Sequence, residues 1–161
     1  SYSEIDGDSA SCAELCALLS SLAQVPIKQS LAITGSISQL GEVQAIGGVN
    51  EKIEGFFDLC QRRGLREGQG VIIPATNIRH LMLKQEVVDA ITAGTFSIYG
   101  VEQVDEAIEL LTGMPAGKRD SDGQYNEGSF NQRIEETLLR FASDIQEFKK
   151  STDTDNPEGN G

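Results

Sequence analysis

Apolar side chains recur along much of the chain at the spacing of amphipathic helices. Between residues 9 and 24 they fall at positions 12, 15, 16, 19 and 22, which line one face of a helix. Residues 50–63 carry a similar pattern, and residues 77–93 and 104–111 also read as helical. The spacing therefore predicts a helix over each stretch, the first closed by Pro26 and the third formed in one piece or two.

Short runs of apolar and β-branched residues separate these stretches and predict strands. They cover residues 30–34, 42–46, 71–74 and 96–101. Turn-forming residues at 39–41 indicate a hairpin between the first two runs, and the uniformly apolar third run is typical of a strand buried on both faces. The order β-β-α-β-α-β-α predicts an α/β (α+β) domain, in which helices flank a small mixed sheet with at least one parallel strand pair.

The pattern changes after residue 112, so residues 1–112 are taken as one domain. Residues 113–129 are turn formers and charged residues without periodicity, which predicts a linker. Residues 130–150 predict an additional C-terminal amphipathic helix, whose apolar stripe either packs on the rest of the assembly or pairs with another copy of the chain. That stripe consists of Phe130, Ile134, Leu138, Phe141, Ile145 and Phe148. Residues 151–161 are expected to be a disordered tail.

Charge narrows the classes of partner. The 161 residues include 25 aspartates and glutamates against 13 lysines and arginines, a net charge of -12. Such an acidic surface repels phosphate backbones, so nucleic acid is not expected as a partner. The sequence shows neither a signal peptide nor the run of about 18 apolar residues that a membrane-spanning helix needs. We therefore expect a cytoplasmic protein without a membrane partner.

The three cysteines cannot all pair within one chain. Cys12 and Cys16 lie four residues apart and share a face of the first predicted helix, whereas Cys60 belongs to the second. A zinc site would need further cysteine or histidine ligands nearby, and none is present in the sequence. We interpret the cysteines as small buried side chains in a reducing compartment, and we expect no metal site.

Two residues are candidates for chemistry. Ser9 follows Gly7 at the predicted start of the first helix, where unpaired N–H groups and the helix dipole favour a developing negative charge. Lys52 lies one turn inside the second helix, and the chain's one histidine, His80, is distant from both in sequence. If Ser9 is a nucleophile, a lysine is therefore the more plausible base. Taken separately, each residue has an ordinary alternative: a helix-capping serine and a solvated lysine.

Lysine carries a proton at neutral pH, so Lys52 can act as a base only where its surroundings favour the neutral amine. Burial among Val49, Ile53 and Phe56 is one expected source of that preference. Thr34, at the end of the first predicted strand, is our candidate for orienting the amine.

Two carboxylates work against this expectation. Asp6 and Asp8 lie shortly before Ser9 in sequence, and a carboxylate touching Lys52 would favour its protonated form. Either both aspartates point away in the working state, or an aspartate–lysine pair marks a resting state.

Several motifs appear together in a fixed order. Residues 6–11 read DGDSAS around Ser9, and residues 47–52 read GGVNEK before and including Lys52, 43 residues later. AITG at 32–35 and VIIPATN at 71–77 stand at the predicted strand ends. Up to about residue 112 the chain resembles the proteolytic domain of Lon, the ATP-dependent protease, and specifically the B-type (archaeal-like) branch, whose serine motif has the form E/D-G-D-S-A-S.

The resemblance implies a Ser-Lys dyad serine endopeptidase in a compact α/β domain. Ser9 is then the nucleophile, Lys52 the general base and Thr34 a threonine near the amine, while Asp6, Gly7 and Asp8 belong to the serine motif as supporting residues. It also implies unfolded or damaged polypeptides as substrates, and a homo-hexameric ring for the full-length protein. ATP and Mg are expected only on a separate ATPase module, so this chain itself is expected to hold no cofactor.

The resemblance is incomplete. Family members have strands before the serine motif that are not found here, so we expect an N-terminally truncated domain, and the ATPase is absent. GMPAGK at residues 113–118 lacks the spacing and the hydroxyl residue of a phosphate-binding loop. The competing interpretations are a Lon-like ring-assembly module without proteolysis and an inactive fragment left by self-cleavage.

Overall fold

The computed structural model describes residues 7–154, with side chains through residue 150. Two short 3-10 segments, Asp8–Ala10 and Ala75–His80, accompany five helices: α1 (Ser11–Ala23), α2 (Val49–Arg62), α3 (Gln85–Thr92), α4 (Val104–Thr112) and α5 (Phe130–Thr154). The strands are β1 (Leu31–Ile33), β2 (Ser36–Ile37), β3 (Val43–Gln44), β4 (Gly70–Pro74) and β5 (Ser97–Val101).

A three-stranded parallel sheet forms the centre of the domain, in the order β1-β4-β5. Every residue of β4 is buried, because strands flank it on both edges and helices cover both faces. Since side chains alternate along a strand, Ile72 faces one cluster while Val71 and Ile73 face the other. The predicted α/β class, the parallel pairing and the doubly buried strand are therefore confirmed.

Two apolar clusters lie on opposite faces of this sheet. The first joins the sheet to α1, α4 and the start of α5 through Cys12, Cys16, Ile108, Leu111 and Phe130. The second joins it to α2 and α3 through Ile53, Phe57, Cys60, Val87 and Phe96, with the Phe57 and Phe96 rings packed edge to face at 5.2 Å. All three cysteines are buried free thiols, as the sequence predicted.

The predicted hairpin has a different first strand from the one expected. The chain leaves β1 at Gly35, and the separate strand β2 pairs antiparallel with β3, while β1 pairs only with β4. Gly35 is buried, and a Cβ atom there would lie 3.0 Å from Val43 Cγ1, so the connection is tightly packed. The expected pairing of residues 30–34 with 42–46 is therefore wrong, although the turn at 39–41 is correctly placed.

Residues 77–93, which were predicted to form a helix in one piece or two, form two separate helical pieces. The 3-10 segment Ala75–His80 directly follows β4, and α3 begins only at Gln85. Extended backbone at Leu81 and Lys84 separates them.

Residues 113–129 fold back against the helices that flank them. Arg119 forms an ion pair of 2.9 Å with Glu135 of α5, and its guanidinium lies 4.3 Å from the centre of the Tyr125 ring. Ala116 and Ser129 are buried. These contacts fix the direction in which α5 leaves the domain.

Helix α5 is only partly packed. Phe130 and Ile134 are buried against the first cluster, and α1 is its main neighbour. The remaining members of its apolar stripe are exposed: Leu138, Phe141, Ile145 and Phe148. Packing on the domain thus accounts for the first turns of the helix, and pairing with another copy stays a prediction. Within residues 7–154, no helix combines the length and the apolar character needed to cross a membrane.

Candidate active site

Three segments that are distant in sequence bring Ser9, Thr34 and Lys52 together. Ser9 lies in the 3-10 turn before α1, Thr34 follows the last residue of β1, and Lys52 lies in the first turn of α2. Lys52 Nζ donates hydrogen bonds to Ser9 Oγ at 2.8 Å and to Thr34 Oγ1 at 3.3 Å. Thr34 Oγ1 in turn donates to the Ser9 carbonyl at 3.2 Å. The amine and two hydroxyls therefore form one connected cluster.

The turn that carries Ser9 is held by the chain beyond β1. Gly35 N donates to the Ser9 carbonyl at 2.9 Å, and Cys12 N donates to the Gly35 carbonyl at 3.1 Å. Thr34 N donates to the carbonyl of Ile72 in β4, which anchors the same segment to the sheet. Because this 3-10 turn runs directly into α1, which begins at Ser11, Ser9 lies at the start of the first helical segment, as predicted.

A buried asparagine fixes the approach to Lys52. Asn77 accepts a hydrogen bond from Ile46 N at 3.1 Å and donates one to the Ile46 carbonyl at 3.0 Å. Its exposed fraction is only 6%. The chain then reaches Gly48, whose carbonyl accepts from Lys52 N at 3.1 Å as α2 begins. Sequence reasoning assigned no role to Asn77, although a polar residue three positions after a buried strand is a usable signal.

Gly48 has left-handed backbone angles, with φ +65° and ψ 26°. We expect Gly48→Ala to destabilise the domain by about 1–2 kcal/mol, because a Cβ atom is strained in that conformation. The same change should slow any reaction that depends on Lys52. Chemical denaturation measures the first effect.

Gly47→Ala is the matched control for this prediction, since Gly47 is exposed, has no left-handed φ and leaves open space for a Cβ atom. Gly48→Asn should lose less stability than Gly48→Ala, because asparagine tolerates left-handed angles. Equal losses at Gly47 and Gly48 would show that backbone strain is not the cause.

An open cavity of about 390 Å³ adjoins the cluster. Besides Ser9, Thr34 and Lys52, it is lined by small and apolar side chains: Ala10, Ala13, Ala32, Ile33 and Val71. This surface can accept an extended, largely apolar segment next to the Ser9 hydroxyl.

Lys52 is exposed in this structure, so the expected burial by its own helix is wrong. The buried face of α2 contains Val49, Ile53, Phe57 and Cys60, and Lys52 lies beside that face rather than on it. The walls around its amine come instead from α1, β1 and β4.

Of the two aspartates in the serine motif, the structure describes Asp8. Asp6 lies outside the described residues. Asp8 is exposed and accepts a short hydrogen bond from the Ser36 hydroxyl, and it forms no ion pair with Lys52. In this structure the Asp8 carboxylate is therefore bound by Ser36 and not by the amine of Lys52. Gly7 precedes it with φ +150°.

The other titratable candidates stand apart from this cluster. His80 is exposed at the end of the 3-10 segment and accepts a hydrogen bond from Arg79 Nε at 3.1 Å. The hydrogen bond with Cys12 and burial both raise the pKa of the Cys16 thiol well above its usual range, and burial raises the pKa of Cys60. Within residues 7–154 no group of three or more histidine, cysteine or acidic side chains is arranged to hold a metal ion.

The family model of the Lon protease (S16) C-terminal proteolytic domain matches residues 4–113. The chain therefore belongs to this family of proteolytic domains, as its motifs indicated. A putative Lon protease homolog of Escherichia coli (strain K12) is 60% identical over 111 residues, which cover 69% of this chain and 19% of that protein.

The similarity extends to archaeal members of the family. An archaeal Lon protease of Methanocaldococcus jannaschii is 42% identical over 111 residues, covering 69% of this chain and 15% of that protein. The chain thus spans less than a fifth of the length of these curated relatives. The residues that the family model matches end before α5.

Proposed function

We propose that the chain is the proteolytic part of an ATP-dependent protease and cleaves polypeptides with a Ser-Lys dyad. The observation that carries this proposal is the 2.8 Å hydrogen bond between Lys52 Nζ and Ser9 Oγ. A general base must lie about 2.6–3.2 Å from the oxygen whose proton it removes. Membership of a family of proteolytic domains supports the same reaction class.

The reaction begins with neutral Lys52. Its amine takes the proton of the Ser9 hydroxyl as Ser9 Oγ attacks the carbonyl carbon of the substrate peptide. The tetrahedral intermediate collapses, the C–N bond breaks, and the leaving amine takes the proton from the Lys52 ammonium. An acyl group then remains on Ser9.

Water completes the cycle. Lys52, again neutral, removes a proton from a water molecule that attacks the acyl carbonyl, and the Ser9–acyl bond breaks. The proton held by Lys52 returns to Ser9 Oγ, and the carboxylic acid product leaves and gives its own proton to solvent as it ionises. Thr34 assists by accepting a hydrogen bond from the amine while its own hydroxyl binds the Ser9 carbonyl, so it aligns both partners.

The neutral form of a lysine is favoured where water is excluded from its amine, and the open cavity beside Lys52 admits water. A substrate segment lying along Ala10, Ala13 and Val71 would displace water from the amine and favour its uncharged form. The proposal therefore places the activation of Lys52 in the substrate complex.

Membership of the Lon proteolytic family supports a wider assignment. We extend the proposal to unfolded or damaged proteins as substrates, to a homo-hexameric assembly of the complete polypeptide in the cytoplasm, and to ATP and Mg bound on an ATPase module rather than on this chain. A ring-assembly module without proteolysis is the competing outcome.

A fluorophosphonate probe tests the dyad. We expect a covalent adduct on the peptide that contains Ser9, because the probe traps a hydroxyl that has a base beside it. Mass spectrometry locates the adduct, in this chain and in any longer natural polypeptide that contains it. Cleavage of a denatured protein should follow the same dependence on Ser9.

Ser21→Ala is the matched control, since Ser21 is an exposed serine of α1, the helix that follows the serine turn. Labelling should vanish in Ser9→Ala and persist in Ser21→Ala. An assembled wild-type protein that shows no adduct on Ser9 would overturn the proposal and favour the ring-assembly module.

A further inference from the structure

Ser36, the first residue of β2, makes a polar contact that the dyad itself does not explain. The residue is only 3% exposed, and its hydroxyl donates a short hydrogen bond to Asp8 Oδ2. Asp8 directly precedes Ser9, whose hydroxyl contacts the amine of Lys52. One buried hydroxyl thus determines the direction of a carboxylate next to the reacting groups.

The residues on either side of Ser36 also bind the serine turn and the start of α1. Ile37 N donates to Ser11 Oγ at 3.1 Å, and Gly35 N donates to the Ser9 carbonyl at 2.9 Å. Because these contacts hold the backbone on either side of Ser36, loss of the Ser36 hydroxyl alone would free the Asp8 side chain without releasing the turn.

Once freed, the Asp8 carboxylate could turn toward the amine of Lys52, because Asp8 is the sequence neighbour of the serine that contacts that amine. Adjacent Cα atoms are about 3.8 Å apart, so a carboxylate next to Ser9 can reach an amine that already touches the Ser9 hydroxyl. An ion pair there would favour the protonated amine and remove the base.

Other titratable groups on the segments that pack around Lys52 lie on the serine turn and the helices. Neither β1 nor β4 contains one. The serine turn and α1 contain four: Asp8, Cys12, Glu14 and Cys16. Besides Lys52, α2 contains five: Glu51, Glu54, Asp58, Cys60 and Arg62. Glu54 is paired with Lys84, Cys12 is fully buried, and within residues 7–150 no carboxylate forms an ion pair with Lys52.

We propose that Ser36 is a positioning residue, which holds the Asp8 carboxylate on the β2 side of the turn and so keeps Lys52 available as a base. The proposal rests on the proposed dyad for its catalytic meaning. The charge state of Lys52, however, can be followed without any reaction at Ser9.

Acetic anhydride measures that charge state, because it acylates only neutral amines. The extent of Lys52 acetylation is followed by mass spectrometry across pH 6–11 in the wild type and in Ser36→Ala. We expect the pH of half-maximal modification to rise by about one unit in Ser36→Ala, as an opposite charge close to the amine favours its protonated form. Fluorophosphonate labelling of Ser9 at neutral pH should then slow by about tenfold.

The double variant Ser36→Ala/Asp8→Asn gives the decisive comparison. It lacks the carboxylate, so the pH of half-maximal Lys52 acetylation should return to the wild-type value. The rate of Ser9 labelling at neutral pH should return to the wild-type rate as well. Ser36→Thr keeps a hydroxyl and should resemble the wild type. Ser38→Ala is the matched control, since Ser38 bonds within the same hairpin and does not contact Asp8.

Two results would overturn the positioning role: an unchanged acetylation profile in Ser36→Ala, or a shift that persists after Asp8 is neutralised. Either would make Ser36 merely structural. A wild type that acetylates normally at Lys52 but is never labelled at Ser9 would instead overturn the proposed function. The acetylation profile would still decide the role of Ser36.

Discussion

Lys52→Arg should abolish most of the activity at Ser9 while leaving the fold intact. Arginine keeps the length, the positive charge and the ability to donate hydrogen bonds to Ser9 and Thr34, but it stays protonated at every accessible pH. It therefore cannot accept the proton of the Ser9 hydroxyl. We expect fluorophosphonate labelling and peptide cleavage to fall by about 100-fold to 10,000-fold, the contribution of a positioned general base.

Lys118→Arg is the control for this substitution, because Lys118 is exposed in the segment between α4 and α5. Its labelling rate and thermal midpoint should match those of the wild type, and the thermal midpoint of Lys52→Arg should also stay close to it. An arginine variant that retains more than about a tenth of the wild-type rate would rule out proton transfer to Lys52.

Asn77→Ala should lower the stability of the domain more than Gly48→Ala does. The substitution leaves the N–H and carbonyl groups of Ile46 without their partner in a partly buried loop. Each unpaired polar group costs about 1–3 kcal/mol, so we expect the free energy of unfolding to fall by about 2–4 kcal/mol. At about 4 °C per kcal/mol, the thermal midpoint should drop by roughly 8–16 °C. Ser9 labelling should fall as well, since the loop leads to Gly48 and Lys52.

Asn77→Asp tests whether the two hydrogen bonds are the cause. A carboxyl group accepts from Ile46 N in either form, but it donates to the Ile46 carbonyl only when protonated. Burial favours the protonated form, so stability is retained at low pH and lost as the pH rises through the carboxyl titration. The variant should therefore be closer to the wild type at pH 4 than at pH 7. A loss independent of pH would point to packing alone.

Local pattern predicted the elements whose burial depends on their own sequence. The apolar spacing of α2 and the continuous apolar run of β4 correspond to the helix face and the doubly buried strand that the structure shows. The failed hairpin has a different origin. Residues 30–34 were compatible with either pairing, and the choice of β4 as the partner of β1 depends on long-range packing that no local signal reports.

The site shows the same division. The serine and lysine motifs identified Ser9, Lys52 and Thr34, because their types and order are specific. The sequence did not indicate the contacts of Ser36 and Asn77, since each is made with a segment about 30 residues away. The sequence did not predict the exposure of Lys52 either, because that exposure depends on how α2 is rotated about its axis over the sheet.

The distance along the chain between the reacting groups matters during synthesis. Lys52 emerges from the ribosome 43 residues after Ser9, and the strand that anchors Thr34 emerges later still. Under the proposed function, the Ser9 hydroxyl of a nascent chain has no base beside it until β4 has paired with β1. Incomplete chains on the same polysome would therefore not cleave one another.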